Sequence, residues 1–482
     1  MRNCVHHDKK CHSVPIFLCH SERSEESRSL NDEMLHCVQH DKRRGGVQHD
    51  VGAVAPTPTL PAGEEGGSAR RLPRPPLSRH PERTRRVSEM LRSAQHDNRV
   101  GAQRDIHNTP GIMVRVTTWW VLFRQGFRRR GANCSKTRTC QEGVVSVAQY
   151  EQILQSFEGL RLVVLGDLML DEYVFGVVRR ISPEAPVPVV EWTEESFVPG
   201  GAANVVNNLL ALGVQVSVFG VVGDDDKGRT LTAHLAESGA DVIGVLVDSS
   251  RITTCKTRVI AHSQQVVRLD REQRHPIPEP LQQELLRRLQ TVLPRTHAVV
   301  LSDYQKGMLT PALVRETIER CAGAGIPVMA NPKPPLLRHL SGVALASINL
   351  LEAQAFANSL GHEVELHTVS QVASHVARWR EMLGVHALAI TLGAQGILLA
   401  PREAEPLHVP AMPVEVYDTA GAGDTVIATL ACALAVGTDW RTAARLANAS
   451  AGCVVRHVGV VPPRREEILR LLAENHLGED TP

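Results

Sequence analysis

From about residue 150 onward, short continuous apolar runs alternate with longer segments of helical period, and this alternation limits the fold more than any other feature. The run at 160–165 ends in Gly166, the form of a strand buried on both faces of a parallel sheet. Helical patterns over 201–212, 227–238, 280–293 and 310–323 then interleave with strand-like runs at 214–222, 298–301 and 326–330. A strand at 344–348, helices at 351–360 and 369–383, and a strand at 387–391 follow, and helices near 421–437, 440–453 and 464–474 complete the series. Such an order predicts an α/β fold, a mostly parallel sheet flanked by helices on both faces. Two segments, 172–198 and 252–270, break the rhythm with β-branched strands such as Val187-Pro-Val-Val-Glu-Trp192 and Thr257-Arg-Val-Ile260. They predict a small antiparallel β flap over the main sheet, able to close on a substrate and exclude water.

Residues 1–147 have a different character, so the chain is read as this segment followed by a single domain over 148–478. Arg, His, Ser and Pro are abundant before residue 145, apolar periodicity is absent, and Gln-His-Asp recurs at 39–41, 48–50 and 95–97. Repeats that stack into a solenoid need an apolar face, and these copies have none. Cys4, His6, His7, Cys11 and His12 lie close together, but no second ligand pair of matching spacing follows to close a zinc site. A basic nucleic-acid-binding arm is the other functional reading of this segment. The expectation is a disordered extension without a part in the chemistry, arising from an over-long gene start with the true start near 144–147.

Charge divides at the same place. Residues 1–150 carry 25 Lys+Arg against 15 Asp+Glu, whereas the rest carries 28 against 37. The globular part is mildly acidic and lacks the basic footprint of a nucleic-acid binder. The 10 cysteines have no regular spacing, and no signal peptide precedes them, so reduced thiols in a cytoplasmic protein are expected. The most apolar early piece, 119–123, is too short to cross a bilayer.

Asp418-Thr-Ala-Gly-Ala-Gly-Asp424 carries the strongest chemical signal, because it opens a helix of small apolar residues. Small residues admit close backbone approach, and a helix N-terminus offers unpaired N–H groups at the positive end of a dipole. The amides of Gly421, Ala422 and Gly423 are therefore candidates to hold a phosphoryl group, with Asp424 as the base that takes a proton from an attacking hydroxyl. The structural alternative is an Asp cap after a flexible loop. Pro199-Gly-Gly-Ala-Ala-Asn204 places Gly200 and Gly201 at another helix start, with Asn204 able both to donate and to accept. Asp167 and Asp171 follow the first strand at its carboxyl end, where open α/β sheets bind ligands. They read either as acceptors for sugar hydroxyls or as turn and capping groups. Asn349-Leu350-Leu351-Glu352 sets two oxygen-bearing side chains three apart on a first helical turn. That spacing suits a hydrated Mg²⁺ with nucleotide phosphates, or a capping box. Gly223-Asp-Asp-Asp-Lys-Gly-Arg-Thr230 has P-loop glycine spacing, but it has Arg229 where Lys is required and carries three carboxylates.

Together these motifs resemble the ribokinase-like (PfkB) carbohydrate kinases over about residues 158–475, with the Gly-Gly, Asn-x-x-Glu and Asp-Thr-Ala-Gly-Ala-Gly-Asp marks in the family's order. The resemblance implies a three-layer fold, ATP and Mg²⁺ as cofactors, and Asp424 as base with 421–423 as anion hole. It implies nucleotide binding by Asn349, Leu350, Leu351 and Glu352, with the metal reached from Glu352 and Asn349 through water. Thr391-Leu-Gly-Ala-Gln-Gly396 is similar to the turn bordering the nucleotide, which brings in Thr391, Gly393 and Gly396. More narrowly, Arg180-Ile-Ser-Pro-Glu-Ala-Pro-Val-Pro-Val189, Thr254-Cys-Lys-Thr-Arg258, Gln264-Gln-Val-Val-Arg-Leu-Asp270 and Leu301-Ser-Asp-Tyr-Gln-Lys-Gly307 resemble the D-glycero-β-D-manno-heptose-7-phosphate kinases. A substrate already carrying phosphate needs cations near the flap, and Lys256, Arg258, Arg268 and Lys306 are the candidates. Each reads equally as a solvated surface charge. Asn331-Pro-Lys-Pro334 departs from the Asp-Pro-Lys-Gly usual in those kinases and removes a carboxylate. A His-x-Gly-His nucleotidyltransferase motif is absent from the sequence, so a kinase alone is expected. The further expectations are a homodimer through the flap and a small sugar phosphate as partner, with no membrane and no nucleic acid. The contrasting class is a silent sugar or nucleotide sensor on the same fold.

Overall fold

A computed structural model of the chain describes residues 145–361 and 365–476. The expectations for the segment before residue 145, including its cysteine–histidine cluster and its apolar piece at 119–123, lie outside the described residues.

The chain enters through α1 (Val147–Ser156), closed at its start by a capping box in which Ser146 and Gln149 bond each other's backbone. Then come β1 (Arg161–Gly166), β2 (Leu168–Ile181), β3 (Pro188–Gly201), α2 (Ala202–Ala211), β4 (Gln215–Gly223), α3 (Asp226–Glu237) and β5 (Asp241–Asp248). The middle of the chain forms β6 (Thr254–Ala261), β7 (Gln264–Arg271), α4 (Glu279–Val292), β8 (Ala298–Ser302), α5 (Pro311–Ala324), β9 (Val328–Asn331), β10 (Leu345–Asn349) and α6 (Leu350–Ser359). Last are α7 (Val369–Leu383), β11 (Ala387–Thr391), β12 (Ile397–Pro401), β13 (Leu407–Val409), α8 (Ala422–Ala435), α9 (Trp440–Val454) and α10 (Arg465–His476).

The main sheet has nine strands in the order β13-β12-β11-β10-β9-β8-β1-β4-β5. Every ladder from β11 to β5 is parallel, and only the two ladders made by β12, with β11 and with β13, are antiparallel. The period of two along each strand splits the apolar side chains between the two faces. Leu162, Val164, Val218, Val300 and Ala389 face α1, α2, α8, α9 and α10. Val163, Leu165, Phe219, Val299, Leu301 and Ile390 face α4, α5, α6 and α7. This is the expected three-layer arrangement.

Because β1, β8, β9, β10 and β11 are adjacent and parallel, their carboxyl ends share one edge of the sheet. Asp167, Asp303, Asn331, Asn349 and Thr391 therefore come from distant parts of the sequence to one row at or just beyond that edge. Strands β5, β12 and β13 were not expected. β5 lies at an edge and is only half buried, and the hairpin through β12 and β13 follows the turn at 392–396.

The flap is a separate sheet in the order β3-β2-β6-β7. Its outer two ladders are antiparallel, as expected, but the central one, β2 with β6, is parallel. The cause is where the two strands begin. β2 follows β1 and β6 follows β5, so both leave the same edge of the main sheet and run outward together. The flap is also longer than the sequence pattern indicated, since β2 starts at Leu168 and β3 ends at Gly201.

Candidate active site

α8 is buried from Asp424 through Ala435, which its small side chains permit, and it packs against α2 and α9 beneath the sheet edge. Gly421 caps it in the left-handed region at φ +78°, and a Cβ there would meet the Asn204 amide at 2.8 Å, so glycine is needed on both counts. Ala422 donates its N–H to Thr419 O at 3.3 Å and closes the turn. Gly423 and Asp424 contribute first-turn N–H groups that have no partner within the helix. Asp418 holds the turn from below, accepting from Ala420 N at 2.9 Å and Gly459 N at 3.0 Å.

Asp424 is 3% exposed. It accepts from Asn204 Nδ2 at 2.8 Å and from Tyr304 Oη at 2.6 Å. Burial pushes its carboxyl up to about 6; the Tyr304 and Asn204 hydrogen bonds and the Lys333 charge work in the opposite direction. Asn204 is fixed in turn by Asn208, which donates to its backbone oxygen at 2.8 Å and its Oδ1 at 3.1 Å, while Thr425 donates to Asn208 at 2.7 Å. Helices α2 and α8 thus share one buried polar chain ending on the carboxylate.

Gly200 and Gly201 lie where β3 meets α2. A Cβ on Gly200 would collide with the Asp171 carboxylate, and one on Gly201, at φ +57°, would come within 2.7 Å of Asp167 O. Of the alternatives weighed for Asp167, the structure shows a brace. Its carboxylate accepts the backbone N–H groups of Tyr304, Lys306 and Met308 at 2.7, 3.1 and 3.0 Å. Burial raises its pKa, and those three amides lower it. Asp171, also buried, pairs with Arg258 at 2.5 Å.

The other flap cations are paired with carboxylates. Lys256 bonds Asp270 at 3.2 Å and lies 3.8 Å from Glu272, Lys306 meets Glu272 at 2.5 Å, and Arg268 grips Asp270 at 2.8 and 3.1 Å. Lys256, on the flap strand β6, and Lys306, in the loop between β8 and α5, converge on one carboxylate, whereas the Arg268 side chain is half exposed. Asn349 and Glu352 form a reciprocal capping box at 2.8 and 2.9 Å, the structural alternative read for that spacing. Glu352 also accepts from Lys333 Nζ at 2.6 Å. In the same first turn Leu350 is half-buried and Leu351 is 80% exposed. Thr391 ends β11, and Gly393 and Gly396 take φ +59° and +92° in the turn to β12. A Cβ on Gly396 would strike the backbone at 409–411.

Sequence reasoning passed over Tyr304, Lys333 and Asp303. Tyr304 lies in the quoted 301–307 motif and Lys333 in Asn331-Pro-Lys-Pro334, but a tyrosine or lysine in a loop carries no periodicity or spacing signal. Asp303, with its carboxyl pushed up to about 6 by burial, accepts from Gln305 N at 2.8 Å and Lys333 N at 3.0 Å, tying the two loops together.

Residues 160–467 match the model of the pfkB family of carbohydrate kinases. The bifunctional protein HldE of Pelobacter propionicus is 38% identical over 331 residues, covering 69% of this chain and 67% of that protein. HldE of Desulfatibacillum aliphaticivorans is 41% identical over 312 residues, covering 65% of this chain and 63% of that protein. This chain therefore spans about two thirds of the length of these relatives. By structure it is similar to Arabidopsis thaliana ribokinase complexed with ribose and ATP, at a TM-score of 0.53 and 21% identity over 65% of this chain and 98% of that one. It is similar also to phosphofructokinase-2 from Escherichia coli in complex with substrates and products, at 0.55 and 18% over 65% and 99%. The chain belongs to the pfkB family of carbohydrate kinases, phosphotransferases that act on a sugar hydroxyl.

Proposed function

We propose that this chain uses ATP to phosphorylate the anomeric hydroxyl of D-glycero-D-manno-heptose 7-phosphate, giving the 1,7-bisphosphate on the route to ADP-heptose. The observation that carries the reading is the environment of Asp424. It is a buried carboxylate at a helix N-terminus, poised near the operating pH, with Gly423 N–H beside it for the phosphoryl oxygens. In this reading Asp424 takes the proton from the sugar hydroxyl as that oxygen attacks the γ-phosphorus, and the 421–423 turn holds the transferring group. Gly200, Gly201, Asn204 and Asp171 line the sugar side, and the Asn349–Glu352 and 391–396 turns border the nucleotide. Lys256 and Lys306 would meet the phosphate the sugar already carries, with Arg258 and Arg268 supporting the flap around it.

No group of three or more His, Cys, Asp or Glu side chains able to hold a metal occurs among the described residues. This suits Mg²⁺, which keeps much of its water and binds largely through nucleotide phosphates. Glu352 and Asn349 would reach it through water, since carboxylate and amide oxygens each accept more than one hydrogen bond. When bound, the ion neutralises charge on the β- and γ-phosphates.

The test is ADP release by the full chain with the heptose 7-phosphate, fructose 6-phosphate, ribose and a nucleoside as acceptors. The heptose phosphate should give the highest kcat/KM. Preference for another acceptor would reassign the substrate, and no turnover with any would favour a silent sensor. Because the base must be ionised, kcat/KM should fall tenfold per unit below about pH 6, the value to which burial raises Asp424. A flat profile from pH 5 to 8 would contradict that assignment.

The flap leaves Trp192, Val267 and Leu269 exposed at 63%, 45% and 59%. We propose that a second copy of the chain covers them. Leu269→Lys should shift sedimentation from dimer toward monomer, and an unchanged profile would reject the flap as the contact. Among the described residues no helix is long and apolar enough to cross a membrane. A cytoplasmic location is part of the same proposal.

A further inference from the structure

The loop between β8 and α5 is held more firmly than a loop needs to be. Asp167 binds three of its amides, Asp303 closes it on Gln305 and ties it to Lys333, and Gln305 sits in the left-handed region at φ +56°. Gly307, at φ +86°, presses on His275 so closely that no Cβ would fit. Arg251, itself buried in an ion pair with Asp248, donates to Lys306 O at 3.2 Å and His275 O at 3.1 Å. Two buried carboxylates, a buried guanidinium and a non-glycine residue at positive φ are costly features, and they act together on one short segment. What that segment presents to the site is the Tyr304 hydroxyl, donating to Asp424 Oδ1, while Lys333 Nζ lies 5.3 Å above the Tyr304 ring.

We propose that Tyr304 is a positioning residue for phosphoryl transfer: with Asn204 it clamps the Asp424 carboxylate from two sides and leaves one open direction from which an acceptor hydroxyl can bond. Asn204 holds Oδ2 and Tyr304 holds Oδ1, so the carboxylate cannot rotate about its χ2 without breaking a hydrogen bond. The remaining lone pairs are then held in fixed directions, which is what selects one sugar hydroxyl over its neighbours. Tyr304 is no rival base. Burial and the adjacent Asp424 charge hold its hydroxyl well above the ordinary tyrosine range, so it stays a donor. The proposal rests on the reading of Asp424 as the base.

Tyr304→Phe in the full chain tests it, because the ring is kept and only the donor is lost. With one donor to the ionised form removed, the acid limb of kcat/KM should move up by about half a pH unit or more. kcat at pH 7.5 should fall about tenfold, with KM for ATP nearly unchanged and the melting temperature within a few degrees. An unmoved acid limb in a variant that still turns over, alongside an inactive Asp424→Asn, would overturn the positioning role and leave the base intact. If wild type turns over none of the sugars named above, the reading of Asp424 fails separately. The clamp is then judged by ¹³C-carboxyl NMR of aspartate-labelled protein, with the Asp424 signal assigned by its loss in Asp424→Asn. A titration midpoint that rises in Tyr304→Phe sustains it, and one that stays in place refutes it.

Discussion

Asp424→Asn is expected to lower kcat by about 10³-fold or more while leaving ATP affinity within a few-fold of wild type. Asparagine keeps the shape of the side chain at the start of α8 and can still accept from Tyr304 or Asn204, but it cannot take a proton from the acceptor. Single-turnover measurement of phosphoryl transfer, with ATP affinity from calorimetry, separates the two effects. Turnover close to wild type would end the mechanism. The same variant should be no less stable at pH 7. The folded pKa of Asp424, about 6, lies above its unfolded value, so the ionised carboxyl destabilises the fold at neutral pH. That penalty vanishes as pH falls below the unfolded value, near 4. Its loss in the variant is on the order of 1–3 kcal/mol in favour of folding, which offsets the weaker hydrogen bonds of the amide.

Asp167→Ala should act in the opposite sense, on the fold first. Removing this carboxylate strands three backbone donors around Tyr304, Lys306 and Met308, in a place that is 2% exposed. Losing a buried acceptor shared by three amides costs on the order of 3 kcal/mol or more. A drop in melting temperature of about 5 °C or more by calorimetry is expected, with activity reduced because the Tyr304 loop loses its shape. Asp167→Asn, which can still satisfy part of the set, should fall between the alanine variant and wild type. A melting temperature for the alanine variant within a degree of wild type would show that water replaces the carboxylate there.

The two aspartates show how far residue types and spacing reach. The buried helix start at Asp424 was legible because its neighbours are informative: glycines that permit close approach, then a helix of small residues that must be buried. Asp167 has the same chemistry and also follows a strand end, but its sequence neighbourhood cannot say whether a ligand or the protein's own amides will claim it. The decision depends on a loop 137 residues away whose amides turn toward it. For the Asn349–Glu352 pair, both readings allowed by the spacing are compatible with what forms, since the capping box satisfies the helix start and leaves lone pairs over. Lys333 and Tyr304 gave no signal of period or spacing, and they come together because β8 and β9 are neighbours in the sheet.

The sequence alone determined the class of fold, the parallel sheet with its flap and the glycine-rich turn that opens α8. Those follow from local quantities: the period of apolar residues, strand length, and glycine where φ is positive or space is short. Only the tertiary structure decided which charged groups are paired within the fold and with which partners. It also decided that β2 and β6 run parallel, and that Asn204 and Tyr304 meet on Asp424. The physical reason is that hydrogen bonds and ion pairs form between groups brought together by sheet order. A carboxylate's role is set by which donors reach it first.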